Sequence, residues 1–254
     1  MRAIVQNVNE MTLGWNNALR FLGIDSHLWS EEYKPTFDLF AEFRPELLIV
    51  HELTESIAKC ILKYKPKTYL KVSDLKQTTQ QTWDLAQKIP VNLFTTYLPE
   101  FQQDVAHWAQ IGKIKSCPPG FDSIRYKKST PFDIDLGFVG NYSPEYELVN
   151  RATLDLRVRI FGQGWLCPEC LGLCLQENEN RIYSGPTVAF NMEQALKGLG
   201  CGGFTVIKKA PENINYDTFD TYEEMIDRLK KPRKQKFKIE EHTYIKRMEQ
   251  LLSD

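Results

Sequence analysis

Several things are scarce in this 254-residue chain, and each absence excludes something. Charge of one sign is not in excess. Lysines and arginines number 32 against 33 aspartates and glutamates, a formal net charge of −1, so no whole-chain field draws the protein to nucleic acid or to an anionic membrane. Long apolar runs are missing too. LLIV at 47–50 is far shorter than the roughly 20 residues that span a bilayer, and no membrane span is expected. The common phosphate signatures are also lacking. No GxxxxGK[ST] loop occurs, and Gly162-x-Gly164-Trp165 stops short of a dinucleotide fingerprint, which argues against P-loop NTPases and NAD enzymes. The opening MRAIVQN enters a strand-like run at once, without the basic-then-apolar order of a secretory signal. The six cysteines are therefore expected as reduced thiols or a metal site in a cytoplasmic protein, not as a disulfide framework.

What is present is an alternation of short apolar runs and amphipathic stretches. RAIVQN, ELLIVH, KTYLKVSD and NLFTTYL read as strands in the first half, with helical spacing in MTLGWNNALRFLG and TESIAKCILKYK. ELLIVH is continuously apolar, the pattern of a strand covered on both faces. LGFVGN, VRIFGQGW, TVAFN and GGFTVIKK repeat the pattern in the second half, with helices in PEYELVNRATLDL, MEQALKGLG, TYEEMIDRLKK and EEHTYIKRMEQLL. Strands alternating with helices predict a parallel α/β fold. Proline, glycine and charge crowd together after Cys117, so the expected division is a first domain over 1–118, a linker over 119–135 and a second domain over 136–254. Two α/β halves around a linker leave a cleft, and open α/β sheets bind ligands at the carboxyl ends of their strands.

Three turns in the second half lie at such ends: Gly140-Asn141, Gly162-x-Gly164-Trp165, and Asn191-Met192-Glu193. Glycine there lets backbone approach a ligand closely. Glu193 has two readings. With Asn191 as N-cap and Gln194 three residues on, the segment resembles a capping box, and an acidic residue in the first turn suits the helix dipole. The same geometry suits a sugar-nucleotide, with the carboxylate on ribose hydroxyls and the helix N-terminus facing phosphate. Residue types leave both open.

The blocks DIDLGFVGNYSPEYELVNRATLDLRVRIFGQGW, TVAFNMEQALKGLGCGGFTVI and HTYIKRMEQLL resemble, in order and spacing, the glycosyltransferase-like family that includes the spore-maturation (CgeB-type) proteins of the GT-B superfamily. The resemblance implies two Rossmann-like domains facing a cleft, with terminal helices able to cross back. It implies a metal-independent hexosyl- or pentosyltransferase that needs no cofactor beyond its co-substrate, a UDP- or GDP-sugar. The donor would be held by Gly140, Asn141, Gly162, Gly164, Trp165, Asn191 and Glu193, with Glu193 on the ribose. The acceptor is left open as a glycan, a protein or modified DNA, the last by analogy with phage-type enzymes that glycosylate hydroxylated bases. Phe190, Asn191 and Met192 stand where the family carries an Arg-x-Phe-Glu pattern. Arg181, Lys208 or Lys209 would have to meet the diphosphate, or the chain is a catalytically silent nucleotide-sugar-binding protein.

A transfer reaction needs a base or an electrostatic partner for the acceptor hydroxyl. His51, Glu52 and Asp74 follow strands of the first half and are the candidates, with Glu10 in the first loop as a further one. Each also reads as a helix cap, a solvated loop residue or a structural histidine. Cys167, Cys170 and Cys174 could supply three ligands of a structural zinc, but no fourth is nearby in sequence, and an ordinary cysteine-containing loop fits as well. The basic tract from Arg228 to Lys238 reads as a solvated connector or as a phosphate-backbone contact.

Overall fold

The structure is a computed structural model that describes residues 1–30, 36–72, 79–96, 106–208, 217–231 and 238–253. The chain divides into two compact units, residues 1–122 with 244–254, and residues 123–243.

The first unit is built on parallel strands β1 (Arg2–Gln6), β2 (Asp25–Trp29), β3 (Leu47–Val50), β4 (Lys67–Lys71), β5 (Asn92–Thr95) and β6 (Ile114–Ser116), in the order β2-β1-β3-β4-β5-β6. Helices α1 (Glu10–Phe21), α2 (Thr36–Phe43), α3 (Glu55–Tyr64) and α4 (Gln80–Ala86) make crossovers. Strand side chains alternate between faces. Ile4, Leu48, Val50, Leu70 and Leu93 share a cluster with Phe40 of α2 and Ile57 and Ile61 of α3. Ala3, Val5, Leu47, Ile49, Tyr69 and Phe94 share the other with Trp15 and Leu19 of α1. The Asn9 side chain accepts from the Met11 and Thr12 amides, which fixes where α1 begins.

That second cluster also takes Tyr244, Met248 and Leu251 of the final helix, α9 (Tyr244–Leu252). This differs from the expected boundary at 136–254. The apolar stripe of α9 is buried against α1, the Tyr69 hydroxyl donates to the Leu251 carbonyl at 2.9 Å, and the Tyr244 amide donates to Phe121 O at 3.0 Å. The crossing requires Gly14, since a Cβ there would lie 2.3 Å from the Tyr244 ring. The expected linker is likewise split: residues 123–135 belong to the second unit, tied there by Tyr126 to Glu179 and by Asp133 and Asp135 to Arg157.

The second unit carries β7 (Leu136–Val139), α5 (Glu147–Ala152), β8 (Val158–Phe161), α6 (Gln176–Tyr183), β9 (Pro186–Ala189), α7 (Met192–Gly200), β10 (Phe204–Ile207), β11 (Asp217–Thr218) and α8 (Tyr222–Lys230). Its strands are parallel in the order β11-β10-β9-β7-β8. In both sheets the first strand of the unit lies between the second and the third. The winding direction therefore reverses between β1 and β3, and again between β7 and β9. Such topological switch points are where open α/β sheets take ligands, at the carboxyl ends of the strands. Among the described residues, no helix is long and apolar enough to cross a membrane.

Candidate functional site at the second switch point

The carboxyl ends of β7 and β8 are fastened to each other. The Gly140 amide donates to Phe161 O at 2.9 Å, and the Tyr142 amide to Gln163 O at 2.8 Å. Asn141 Oδ1 accepts from the Gln163 amide at 2.9 Å, and Trp165 Nε1 donates to Gly140 O at 2.8 Å. This close approach depends on Gly162, where a Cβ would sit 2.0 Å from Gly140 O. Gly164 adopts φ +81°, the left-handed region that glycine tolerates without cost. Asn141, Gly162 and Trp165 thus shape the turn that the sequence offered as donor contacts.

On the other side of the switch point, Asn191 Oδ1 accepts from the Gln194 amide at 2.9 Å and caps α7. Gln194 Oε1 reaches back to the Phe190 amide at 2.9 Å, one residue earlier than a capping box would place it. Asn191 and Gln194 share the capping, which leaves the Glu193 side chain outside those bonds. Its carboxylate is about a third exposed (35%) and lies 3.3 Å from Lys197 Nζ. The Phe190 ring packs against Tyr146 at 4.7 Å. Lys208, bonded through its amide to Ala189 O, holds Nζ 5.7 Å from the centre of that ring and so brings a cation to this edge. Arg181 is placed elsewhere: it stacks on Phe132 at 3.8 Å and donates to Thr130 O. Lys209 lies outside the described residues.

The first unit's switch point holds two of the proposed bases. Gln6 Oε1 accepts from the His51 and Glu52 amides at 2.7 and 3.0 Å, which pins the turn after β3. The His51 ring stacks on Trp15 with centroids 5.3 Å apart. Its Nε2 is shielded and meets no partner among the described residues. Burial, assisted by Lys71 at the end of β4, pushes the His51 pKa down to about 3, so the ring is neutral at physiological pH and resists taking a proton. Glu52 is exposed beside it. Glu10 opens α1, and Asp74 lies outside the described residues.

The cysteine-rich loop runs along the free edge of β8. Ile160 N donates to Glu169 O, Leu171 N to Ile160 O, and Gly162 N to Gly172 O at 3.1, 2.9 and 2.7 Å. Cys170 Sγ donates to Gly162 O at 3.2 Å, while the Cys174 thiol is directed at Leu175 O. Among the described residues, no group of three or more His, Cys, Asp or Glu side chains is disposed to hold a metal. The sequence reading missed the contact of Cys170 with the glycine turn. It also missed the cluster of Arg125, Tyr126, Glu179 and Lys197 next to Glu193, whose members are scattered over more than 70 positions.

No protein-family model matches this chain, and no curated protein does. Among solved structures it is similar to a DNA-modifying enzyme, β-glucosyltransferase, whose crystal structure was determined with and without its substrate uridine diphosphoglucose. The TM-score is 0.56 at 12% sequence identity, over 99% of this chain and 95% of that one. At that identity the likeness shows the fold. The chain is an α/β protein of two Rossmann-like domains, of the GT-B type. Kinship with the spore-maturation proteins in particular stays a resemblance of sequence.

Proposed function

We propose that this chain is a glycosyltransferase that moves a hexosyl group from a UDP- or GDP-sugar to a hydroxyl acceptor without a catalytic metal. The observation that carries the reading is Glu193. Its carboxylate stands in the first turn of α7, beside the switch point of the second sheet, part-exposed and spared from capping. Ribose hydroxyls donate to that carboxylate. The diphosphate meets the α7 N-terminus and Lys208, which supply the positive field that the leaving group needs as its charge develops. The paired glycine turns at 140 and 162 let backbone lie close to the donor. Among the candidates that lie in the described residues, deprotonation of the acceptor hydroxyl is assigned to Glu52, because the His51 ring resists protonation. The fold likeness to the β-glucosyltransferase, whose substrate is uridine diphosphoglucose, supports glycosyl transfer by analogy.

The test is a thermal-shift series on wild type and Glu193→Ala against UDP, GDP, CMP, dTDP and their sugars. A ligand at about a hundred times its Kd stabilises the native state by about 2.7 kcal/mol, a rise of several degrees for a chain of this size. We expect one nucleotide family to produce that rise and Glu193→Ala to lose most of it. No rise with any nucleotide removes the reading. Binding without hydrolysis or transfer favours the catalytically silent alternative, which the missing Arg-x-Phe-Glu pattern motivates.

A DNA acceptor carrying hydroxylated bases is the second reading, favoured by the DNA-modifying activity of the similar structure. Lys231 is bonded to Asp227 at 2.6 Å, and Arg233 and Lys234 lie outside the described residues. Under this reading, affinity for duplex DNA falls steeply with salt, and neutralising Lys231, Arg233 and Lys234 together flattens the slope by about two to three units. Absence of binding at low salt excludes DNA.

A further inference from the structure

Glu193 is gripped from within its own helix. Lys197, one turn along α7, directs Nζ to Glu193 Oε1, and only a tenth of the lysine side chain is exposed. Its ammonium lies 5.0 Å from the centre of the Tyr126 ring. The Tyr126 hydroxyl donates to Glu179 Oε1 at 2.8 Å, and Arg125 pairs with Glu179 Oε2 at 3.4 Å. Gln176 and Asn180, on the same face of α6 as Glu179, donate to the Arg125 carbonyl. The segment before β7 is thereby fixed to α6, and it presents an aromatic face to Lys197.

An exposed lysine four residues after a glutamate forms a weak, solvent-screened pair and keeps most of its rotamer freedom. Lys197 is different, because burying an ammonium is costly unless a carboxylate and a ring face receive it. The arrangement that satisfies Lys197 also restricts Glu193 before any ligand arrives, and restriction in advance is what makes a polar contact selective. Lys197 pairs with Oε1 of the Glu193 carboxylate, which leaves Oε2 outside that ion pair.

We propose that Lys197 is a positioning residue for Glu193. It holds the carboxylate so that the other oxygen meets the ribose 2′-hydroxyl, and it thereby makes the site select ribonucleotides over 2′-deoxyribonucleotides. The inference rests on the donor reading of Glu193 and adds to it a sugar selectivity and the residue that sets it.

The experiment measures the affinity of the full chain for UDP and GDP, each beside its 2′-deoxy counterpart, in wild type, Lys197→Met, Lys197→Gln and Lys197→Arg. Wild type is expected to favour the ribonucleotide by about tenfold, as a hydrogen bond to a charged acceptor warrants. Lys197→Met and Lys197→Gln bring the ratio to within about twofold of unity, with affinity for the deoxy form unchanged, and Lys197→Arg retains most of the preference. A purely structural lysine would weaken both nucleotides alike and leave the ratio untouched. If wild type discriminates and the neutral variants still do, the inference is overturned while the reading of Glu193 stands. If wild type binds both forms equally, or binds neither nucleotide, both are overturned. Lys197→Gln keeps the length and polarity of the side chain, so the test survives a Lys197→Met variant that does not fold.

Discussion

Gly162→Ala is expected to abolish the proposed nucleotide binding and to destabilise the protein by about 3 kcal/mol, the upper end of the cost of overpacking. The added Cβ would lie 2.0 Å from Gly140 O, 2.6 Å from Gly140 C and 3.1 Å from Asn141 N. All three are backbone atoms, so no side chain can swing aside. Relief has to come from separating the two turns, which breaks the bonds from Gly140 N to Phe161 O and from the Gln163 amide to Asn141. It also shifts Trp165, whose indole is anchored on Gly140 O. Gly164→Ala serves as the control. It carries the strain of an alanine at φ +81°, about 1–2 kcal/mol, but its nearest neighbour is the Tyr142 Cβ at 3.5 Å. Urea unfolding with nucleotide titration separates the two variants. A Gly162→Ala protein that unfolds and binds like wild type would show that the turns are not coupled as described.

The central strands of both sheets were legible because they are buried on both faces, and LLIV, LGFV and FTVI advertise that in their composition. Turn chemistry was legible for the same reason: Gly140, Gly162, Gly164 and Asn191 are residue types that solve a backbone problem. What escaped was whatever depended on a partner distant in sequence. β2, DSHLW, lies at a sheet edge and buries only part of its side chains, so it carries little apolar signal. α6, QENENRIY, is almost wholly polar, and one of the residues that it buries is Glu179. A buried carboxylate makes sense only beside Tyr126 and Arg125, more than 50 positions earlier. The apolar stripe of α9 was visible, but not that its complement is α1, and the boundary at 136–254 followed from that gap. Lys197 gave no signal in the sequence, because the ring it lies against, Tyr126, is more than 70 positions earlier.

Below neutral pH the folded protein is expected to lose stability through His51, and His51→Phe is expected to remove that loss. The ring's ordinary pKa is 6.5 and its folded pKa is about 3. Above 6.5 the imidazole is neutral in both states, so its contribution is fully present. As pH falls through 6.5, the unfolded chain takes up a proton that the folded chain refuses, and stability declines by about 1.4 kcal/mol per pH unit until the folded pKa is reached. At pH 4.5 this amounts to roughly 2–3 kcal/mol. The causes are burial first and the neighbouring Lys71 second; the ring stacks on Trp15 and its Nε2 is shielded. His51→Phe keeps a flat ring against Trp15 and discards a nitrogen with no partner among the described residues, so its stability at pH 7 stays within about 1 kcal/mol of wild type. Carboxylates such as Asp135, held low by Arg157, contribute acid sensitivity of their own, but they are common to both proteins and cancel in the comparison. Stability measured from pH 7 to pH 4 then shows a shallower fall in the variant. The same substitution assigns the base. With Glu52 taking the acceptor's proton, His51→Phe retains kcat, whereas Glu52→Gln loses about a hundredfold or more. A histidine ring signal that titrates near 6.5, or a variant whose acid profile overlays wild type, would return His51 to the ordinary behaviour of an exposed imidazole and reopen its claim to be the base.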